Sequence, residues 1–404
     1  MAQAPITREQ MQTAIDAVST HGSVSAAARA LNMPRPTFHH WYERAVQSGV
    51  KDSVAGVDTG PSALKAQLNV AQARLKSAEK ERLTDEFIKS RICKLVETPL
   101  SPPDWLTKSR RGVDDLTGVP TLFLSDVHHG EVVRPEEIGG INEFNVALSN
   151  ARIRTYIQVS IALLTEHLAA PNYPGVVLML GGDMVSGDIH EELANTNELE
   201  PIPAALDLTG TLVWAIRTLA DKFGKVYVVG VTGNHGRTSR KPRMKRRNHT
   251  NFDWLIYQML RMQFAEDERI TFQIPDGPDA MFNVYGTRYL LTHGDQFRGG
   301  DGFAGAVVPI ARGDRKKRAK HSRLEKGYDV MCIGHWHTYI HTEEYVVNGS
   351  VKGYDEYANA GNFDPQEPIQ ALWITHPVHG MTFRMPVYLE RKAEGKRGAW
   401  VEAA

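Results

Sequence analysis

Five short clusters of carboxylate, carboxamide and imidazole residues each follow directly on an apolar run of the kind that forms a buried strand. The clusters are Asp126-Val127-His128, Gly182-Asp183, Gly233-Asn234-His235, Thr292-His293-Gly294 and Gly334-His335-Trp336-His337. Their glycines permit tight turns and close backbone approach. A mixture of carboxylate, carboxamide and imidazole suits Mn²⁺, Fe or Zn²⁺ better than Mg²⁺ or Ca²⁺, which prefer oxygen ligands throughout. The clusters therefore predict a transition-metal site.

Short apolar runs alternate with amphipathic stretches throughout the region that holds these clusters. The pattern predicts strands at 121–124, 176–180, 226–231, 289–292 and 330–333, and helices near 143–169, 204–223 and 251–264. Such alternation indicates an α/β layered fold. Sites in α/β sheets are built at the carboxyl ends of strands. All five clusters occupy that position.

The ordered series D-x-H, G-D, G-N-H, H and G-H-x-H over about residues 120–340 resembles the calcineurin-like metallophosphoesterase superfamily. The resemblance implies a layered αββα sandwich and two divalent metal ions, with Mn²⁺ expected and Fe or Zn²⁺ as alternatives. It also implies a division of the ligands. Asp126, His128 and His337 would bind one ion; Asn234, His293 and His335 would bind the other; and Asp183 would bridge them.

The residues that follow Asn234 carry the rest of the implied chemistry. His235 resembles the family's catalytic histidine, expected to stabilise developing charge or to protonate the leaving oxygen. Many family members continue with an acid that orients this histidine, whereas here Gly236 follows, so its orienting partner is open. Arg237 could contact a substrate phosphate through its planar guanidinium. The Asp183 cluster lacks the Asp-Arg-Gly ending of protein Ser/Thr phosphatases, which makes protein substrates less favoured.

Residues 1–49 are interpreted as a small all-α domain, because apolar residues recur at helical spacing in three short stretches. The central stretch resembles the helix-turn-helix of small bacterial and phage DNA-binding domains. On this interpretation Arg35, Thr37, His40 and Arg44 lie on or beside the recognition helix and contact nucleic acid, as does His39. The alternative is a three-helix module that binds protein or only packs.

The remaining chain divides by composition. Residues 50–62 are small, polar and glycine-containing, which is typical of a linker. Residues 63–98 hold no glycine and no proline, and their apolar spacing predicts one long helix that could form a homodimer. Residues 99–404 are assigned to the catalytic domain, so the predicted architecture is α/β preceded by an all-α unit.

Charge and hydropathy limit the partners. Formal net charge is +0, so any nucleic-acid signal must be local. Two basic segments supply one: 237–247, which contains no acid, and 312–326. No apolar run approaches the ~20 residues of a membrane span, and the first residues lack the pattern of a secretory signal. A cytoplasmic protein without membrane partners is expected.

These features together predict a metal-dependent phosphodiesterase that acts on nucleic acid, most simply DNA. The combination of a helix-turn-helix unit with this catalytic pattern is similar to the Mre11/SbcD-like branch and to proteins of bacteriophages and prophages. Two alternatives remain open at this point. One is a phosphodiesterase for nucleotides or cyclic nucleotides. The other is a DNA-binding regulator whose metal centre is structural.

Overall fold

The computed structural model describes residues 6–50, 102–107, 118–168, 172–299 and 305–390 of the 404-residue chain. The chain divides into two units, Met1–Lys94 and Leu95–Ala404. The predicted long helix at 63–98, and the predicted linker at 50–62 apart from its first residue, lie outside the described residues. Both stay predictions, as does the homodimer that the helix suggested.

Three helices form the described part of the first unit: α1 (Arg8–His21), α2 (Val24–Ala30) and α3 (Arg35–Gln47). Thr7 and Gln10 exchange side-chain-to-backbone hydrogen bonds in a capping box that starts α1. The Ser23 hydroxyl caps α2. The core of this unit consists of Ala14, Ala17, Ala27, Ala28 and Phe38. Small alanines let the helices approach closely, so the predicted helical unit is confirmed.

The second unit alternates strands and helices. Its helices are α4 (Asp104–Thr107), α5 (Val146–Thr165), α6 (Glu191–Thr196), α7 (Pro201–Phe223), α8 (Phe252–Gln263), α9 (Val307–Arg323) and α10 (Glu356–Ala360), with 3₁₀ turns at Pro135–Glu137 and Asn248–Thr250. Its strands are β1 (Val119–Leu124), β2 (Val176–Leu180), β3 (Val226–Gly230), β4 (Ile270–Gln273), β5 (Asp279–Val284), β6 (Thr287–Thr292), β7 (Val330–Ile333), β8 (Ile340–His341), β9 (Tyr345–Val347), β10 (Ile369–His376) and β11 (Gly380–Tyr388). Every strand and helix that the sequence predicted here is present within a few residues.

The strands form two sheets. The first has the order β11-β10-β1-β2-β3-β4, in which β1 to β4 are parallel and β10 and β11 are antiparallel to their neighbours. The second has the order β5-β6-β7-β9-β8, in which β6, β7 and β9 are parallel. Parallel central strands bring the carboxyl ends that carry the five clusters to one edge of each sheet.

Alternate residues of each strand face opposite layers. In β1, Phe123 faces the core between the sheets, where it meets Met179 and Cys332. Leu122 and Leu124 face the other side, where α5, α7 and α8 cover the first sheet. On the outer side of the second sheet, Ile310 of α9 packs on residues of β6 and β7. The layers are therefore helix, sheet, sheet and helix, which confirms the predicted αββα arrangement. No helix among the described residues is both long and apolar enough to cross a membrane.

Candidate metal centre

Most of the predicted ligands occupy a backbone conformation that L-residues rarely adopt. The φ angles are 52° at Asp126, 50° at His128, 51° at Asp183, 68° at His335 and 50° at His337. Each such residue costs of the order of 1–3 kcal/mol and persists only where the surrounding structure holds it in place. Strain of this kind concentrates at active sites. Its recurrence at these strand ends marks this edge of the two sheets as the candidate functional site.

One group of donors comes from the ends of β1 and β7. The Nε2 atoms of His128 and His337 lie 3.0 Å apart. The His337 Nε2 lies 3.5 Å from Oδ1 of Asp126. Ligand atoms that share a metal at ~2.0–2.2 Å lie roughly 3 Å from one another, so the spacing of these three side chains fits one ion.

A second group comes from β2, β3, β6 and β7. The Nε2 of His293 lies 3.0 Å from Oδ2 of Asp183 and 3.2 Å from Oδ1 of Asn234. The ligand atoms of Asp183, His293 and His335 lie within 4.8 Å of one another. Three nitrogen or oxygen donors with Asp183 again suit one cation.

Asp183 belongs to both groups. Its carboxylate is within 4.8 Å of ring nitrogens of His128 and His235, and also of His293 and His335. The side chain is 1% exposed. The structure thus brings together all seven predicted ligands and places Asp183 between the two groups, as a bridging ligand requires. That these residues bind metal stays a prediction.

The protonation states of three predicted ligands also suit metal binding. His293 differs, because burial is outweighed by Asp183, which raises the pKa of His293 to about 10, so a metal ion would have to displace its proton. Burial lowers the pKa of His128 well below its usual value, and the positive charge of Lys352 lowers it further. Burial lowers the pKa of His335 to about 4. Burial raises the pKa of Asp183, but His293 and His235 outweigh this and hold it well below the usual range. His128 and His335 are therefore neutral and Asp183 is ionised near neutral pH, which are the forms that ligate metals.

Backbone and hydroxyl groups fix the orientation of the donors. The Nδ1 of His293 donates to the carbonyl oxygen of Gly181 over 2.9 Å, so its Nε2 is directed to Asp183. Asp126 accepts hydrogen bonds from the Ser125 hydroxyl at 2.5 Å and from the His335 amide at 2.8 Å. These contacts pre-organise the loops of β1, β6 and β7.

His235 is held at two points. Its amide donates to Oδ1 of Asp183 over 2.7 Å, and its Nδ1 donates to the carbonyl oxygen of Ser186 over 2.9 Å. Its ring centroid lies 4.6 Å from that of His128. A backbone carbonyl thus orients the histidine in place of the acid that the family pattern supplies.

Gly236 has no room for that acid. A Cβ atom at this position would lie 2.6 Å from Oδ1 of Asn251 and 2.8 Å from Oδ1 of Asp253. Real Cβ atoms essentially never make contacts under 3.0 Å. A side chain at position 236 would therefore require Asn251 and Asp253 to move.

Arg237 is engaged by its own loop. Its guanidinium donates to the carbonyl oxygens of Asn234, Ser239 and Arg240 at 2.9–3.1 Å. It also lines a cleft beside Asn234 together with Arg243, Arg247 and Asp295. The structure therefore gives Arg237 a role in shaping this loop. Its contact with a substrate phosphate stays a prediction.

Asp253 is a site residue that the sequence analysis missed. It is fully buried near the start of α8, where its carboxylate accepts hydrogen bonds from the amides of Asp183, Met184 and Gly233 at 2.8–3.1 Å. It therefore joins the loops after β2 and β3. Burial, followed by the charge of Asp183, raises its pKa to about 7. The only local signal was its place two residues after Asn251, which caps α8.

A buried ion cluster behind His128 was also missed. Oε2 of Glu131 lies 3.4 Å from Nδ1 of His128. Oε1 of the same carboxylate accepts from the Lys352 ammonium at 2.8 Å, and Lys352 also pairs with Asp355 at 2.5 Å. Lys352 is 4% exposed. A carboxylate behind a ligand histidine commonly fixes the orientation of the ring.

Two further histidines lie near the site. His129 is buried and bonds the Ser149 hydroxyl and Asp207, each at 2.8 Å, so it does not join the ligand cluster. His190 lies with its ring centroid 5.6 Å from that of His235. No motif surrounds His190 in the sequence, and only the fold brings it to the candidate catalytic histidine.

In the first unit, the predicted nucleic-acid contacts all lie on or at the start of α3. Arg35, Thr37, His39, His40 and Arg44 are exposed, while Phe38 and Ala45 of the same helix are buried. His39 pairs with Glu43 at 3.2 Å. The predicted residues therefore share the solvent-facing side of one helix, and their contact with nucleic acid stays a prediction.

No family model and no curated protein sequence matches the chain. Solved structures do match at low similarity. A single mutant of Vps29 from Entamoeba histolytica is 14% identical, with a TM-score of 0.27 over 67% of this chain and 99% of that one. Wild-type Vps29 complexed with Zn²⁺ from the same organism is 13% identical, with a TM-score of 0.26 over 67% of this chain and 100% of that one. The phosphopantetheinyl hydrolase PptH from Mycobacterium tuberculosis is 13% identical, with a TM-score of 0.25 over 58% of this chain and 90% of that one.

Proposed function

We propose that the protein is a phosphodiesterase of the calcineurin-like metallophosphoesterase superfamily that uses two divalent metal ions and acts on nucleic acid. The observation that carries the proposal is the position of Asp183, whose buried carboxylate lies within ligand distance of both donor groups. A site built in this way suits cations.

The donor set supports an assignment of two ions. Asp126, His128 and His337 would hold one, Asn234, His293 and His335 the other, and Asp183 would contact both. When bound, two divalent ions supply Lewis-acid activation of a phosphate ester and of the attacking water. The mixture of nitrogen and oxygen donors favours Mn²⁺, Fe or Zn²⁺. Mn²⁺ is the ion we propose first.

His235 would act on the substrate as the catalytic histidine. The Ser186 carbonyl accepts its Nδ1 proton, so Nε2 is the nitrogen that can exchange a proton with substrate. The ring is half-buried and adjoins His128 and Asp183. In its protonated form it would donate to the leaving oxygen or stabilise charge on the phosphoryl group.

Nucleic acid is favoured as substrate by the charge beside Asn234. The loop 238–246 carries Arg240, Lys241, Arg243, Lys245 and Arg246, all exposed, and its Met244 is 89% exposed. Phosphate contacts supply most of the non-specific affinity for nucleic acid, so a cationic loop at the site suits a polyanionic substrate. The exposed Arg35 and Arg44 of the first unit support the same class of substrate and a helix-turn-helix role. This combination favours an Mre11/SbcD-like, phage-type enzyme.

The test is an activity panel with Mn²⁺ on purified protein. The substrates are an activated phosphodiester, an activated monoester, a cyclic nucleotide, and single- and double-stranded DNA. We expect hydrolysis of the diester and of DNA, abolished by a chelator and restored by Mn²⁺. Activity confined to the cyclic nucleotide would replace the nucleic-acid substrate with a small molecule. Tightly bound metal without activity on any substrate would indicate a structural centre in a DNA-binding protein.

A further inference from the structure

The helix α9 presents a cationic face to solvent. Its exposed basic residues are Arg312, Arg315, Lys316, Lys320 and Arg323. Within the described part of the chain, none of these five side chains forms an ion pair or a hydrogen bond. Among the described residues, the outward face of α9 therefore carries five positive charges without an ion-pair partner.

The inward face of the same helix is neutralised. Arg318 pairs with Asp314 at 2.6 Å, and the Tyr328 hydroxyl donates to the same carboxylate at 2.9 Å. Lys317 pairs with Asp279 of β5 at 2.5 Å. Asp314, the one acid of α9, thus lies on the side of the helix that packs against the sheet. The outward cations are not engaged by the described part of the fold, so their charge is available to a ligand.

The outward cations extend over a length that several phosphates of a nucleic-acid strand would occupy. From Arg312 to Arg323 the helix rises roughly 17 Å, at 1.5 Å per residue. One DNA strand carries a phosphate every ~3.4 Å along the axis. The row of cations is therefore long enough to contact several phosphates, and its long flexible side chains can adapt to a strand that winds around the axis.

Packing ties α9 to the metal centre. Gly313 lies against the ring of Phe297, because a Cβ at this position would be 2.5 Å from the ring. The Phe297 amide donates to the carbonyl of Gly294, which directly follows the ligand His293. In the same loop, Asp295 pairs with Arg247 at 2.9 Å. The loop that carries His293 therefore contacts both α9 and the basic segment beside Asn234.

We propose that the outward face of α9, formed by Arg312, Arg315, Lys316, Lys320 and Arg323, binds the phosphodiester backbone of a nucleic-acid strand. This inference rests on the proposed function and names where the substrate is held outside the metal centre. The same face is a poor membrane anchor. Apart from Leu324, which is exposed just beyond the end of the helix, its apolar surface consists of Val307, Val308, Ala311 and Ala319, which do not insert into lipid as Trp or Phe do.

The test compares two variants of the full chain that each lose three exposed positive charges. The α9 variant is Arg315→Gln, Lys316→Gln and Lys320→Gln. The control variant is Lys222→Gln, Lys225→Gln and Arg384→Gln, which are exposed positions on other elements of the same unit. Binding of labelled single- and double-stranded DNA is measured with a chelator present, over a range of salt concentrations, so no cleavage occurs.

We expect the α9 variant to reduce the slope of log affinity against log salt by about 2 to 3, at ~0.7–0.9 for each phosphate that the protein no longer neutralises. The control should keep the wild-type slope, and Lys316→Gln alone should give about a third of the effect. Equal slopes in all proteins, or equal reductions in both triple variants, would overturn the proposal. So would unchanged DNA binding together with abolished binding to phosphatidylserine vesicles, which would indicate a membrane surface.

Activity on a small activated diester, measured in the same proteins with Mn²⁺, separates this inference from the proposed function. Both triple variants should hydrolyse it like wild type, because none of the substituted residues lies in the metal centre. A wild type that binds DNA through α9 but hydrolyses no diester would contradict the proposed function alone. An active enzyme whose DNA binding ignores α9 would contradict the inference alone.

Discussion

The Nδ1 atom of His235 lies 2.9 Å from the carbonyl oxygen of Ser186. This contact joins the loop after β3 to the loop after β2, and it assigns the Nδ1 proton without an acid. Because a carbonyl oxygen can only accept, the neutral ring must carry its proton on Nδ1. The backbone therefore sets the tautomer of the candidate catalytic residue.

The first prediction follows from that contact. His235→Ala should retain both metal ions but lose ~10²–10⁴ in turnover on a diester, which is the usual size for a positioned proton donor or charge stabiliser. Metal content by elemental analysis and kcat report the two properties separately. His190→Ala is the matched control, since His190 adjoins His235 and is not one of the predicted ligands, and it should change kcat by less than tenfold. Full activity in His235→Ala would remove this histidine from the catalytic machinery.

The second prediction concerns the shared ligand. Asp183→Asn should lower the occupancy of both ions, because its carboxylate adjoins both donor groups. His337→Ala should lower the occupancy of one ion only, since His337 contacts only Asp126 and His128 among the predicted ligands. Titration with Mn²⁺ followed by isothermal calorimetry measures the stoichiometry of each protein. Loss of a single ion in both variants would contradict the bridging role of Asp183.

The third prediction compares two glycines. Gly236→Ala should destabilise the protein by about 1–3 kcal/mol, because its Cβ would overlap Asn251 and Asp253. Gly210→Ala should stabilise it by about 1 kcal/mol, since Gly210 lies in α7 with nothing within 4 Å of the added Cβ. Urea unfolding of the chelated protein measures both. A Gly236→Ala variant as stable as wild type would show that the loop accommodates a Cβ at this position without loss.

The positions at which the predicted ligands come together could be anticipated from the sequence, because each cluster directly follows a strand. Asp126 and His335, for example, stand at positions fixed by local pattern alone. The residues that support them could not be predicted, because their partners are distant in the chain. Glu131 meets Lys352 across 221 positions, and that contact exists only because the chain after β9 returns beside β1. The strands β4, β8 and β9 are too short to show a clear alternation of apolar and polar residues in the sequence. The sequence also did not predict β10 and β11, which complete the first sheet.

The fourth prediction uses the pKa of Asp355. Burial raises this pKa, but the charge of Lys352 outweighs burial and lowers it. The ion pair therefore stabilises the fold at pH values above the unfolded pKa of ~3.9, and this stabilisation is lost as the pH falls through the folded pKa. Lys352→Met should cost about 3–5 kcal/mol at pH 7, because Glu131 and Asp355 stay buried without their cation. The deficit should shrink towards pH 4, as Asp355 without its cation takes up a proton more readily.

Unfolding of wild type and Lys352→Met in urea at pH 7, 5.5 and 4.5, with a chelator present, measures this dependence. Lys225→Met, at an exposed position, should match wild type at every pH. A deficit that stays constant with pH would show that Lys352 acts through packing and not through its charge.

The last prediction concerns α3 of the first unit. Arg35→Gln with Arg44→Gln should weaken DNA binding, because both side chains lie on the exposed side of the proposed recognition helix. Activity on a small diester should stay unchanged, since every predicted ligand lies in the other unit.

The matched control is Arg8→Gln with Arg29→Gln, which removes the same charge from α1 and α2. A recognition helix contacts bases as well as phosphates. The α3 variant should therefore lose affinity at low salt and also at high salt, where counterion release contributes little to binding. Fluorescence anisotropy with double-stranded DNA at two salt concentrations makes the measurement. Equal affinities for the α3 variant and the control would leave the three-helix unit as a protein-contact module.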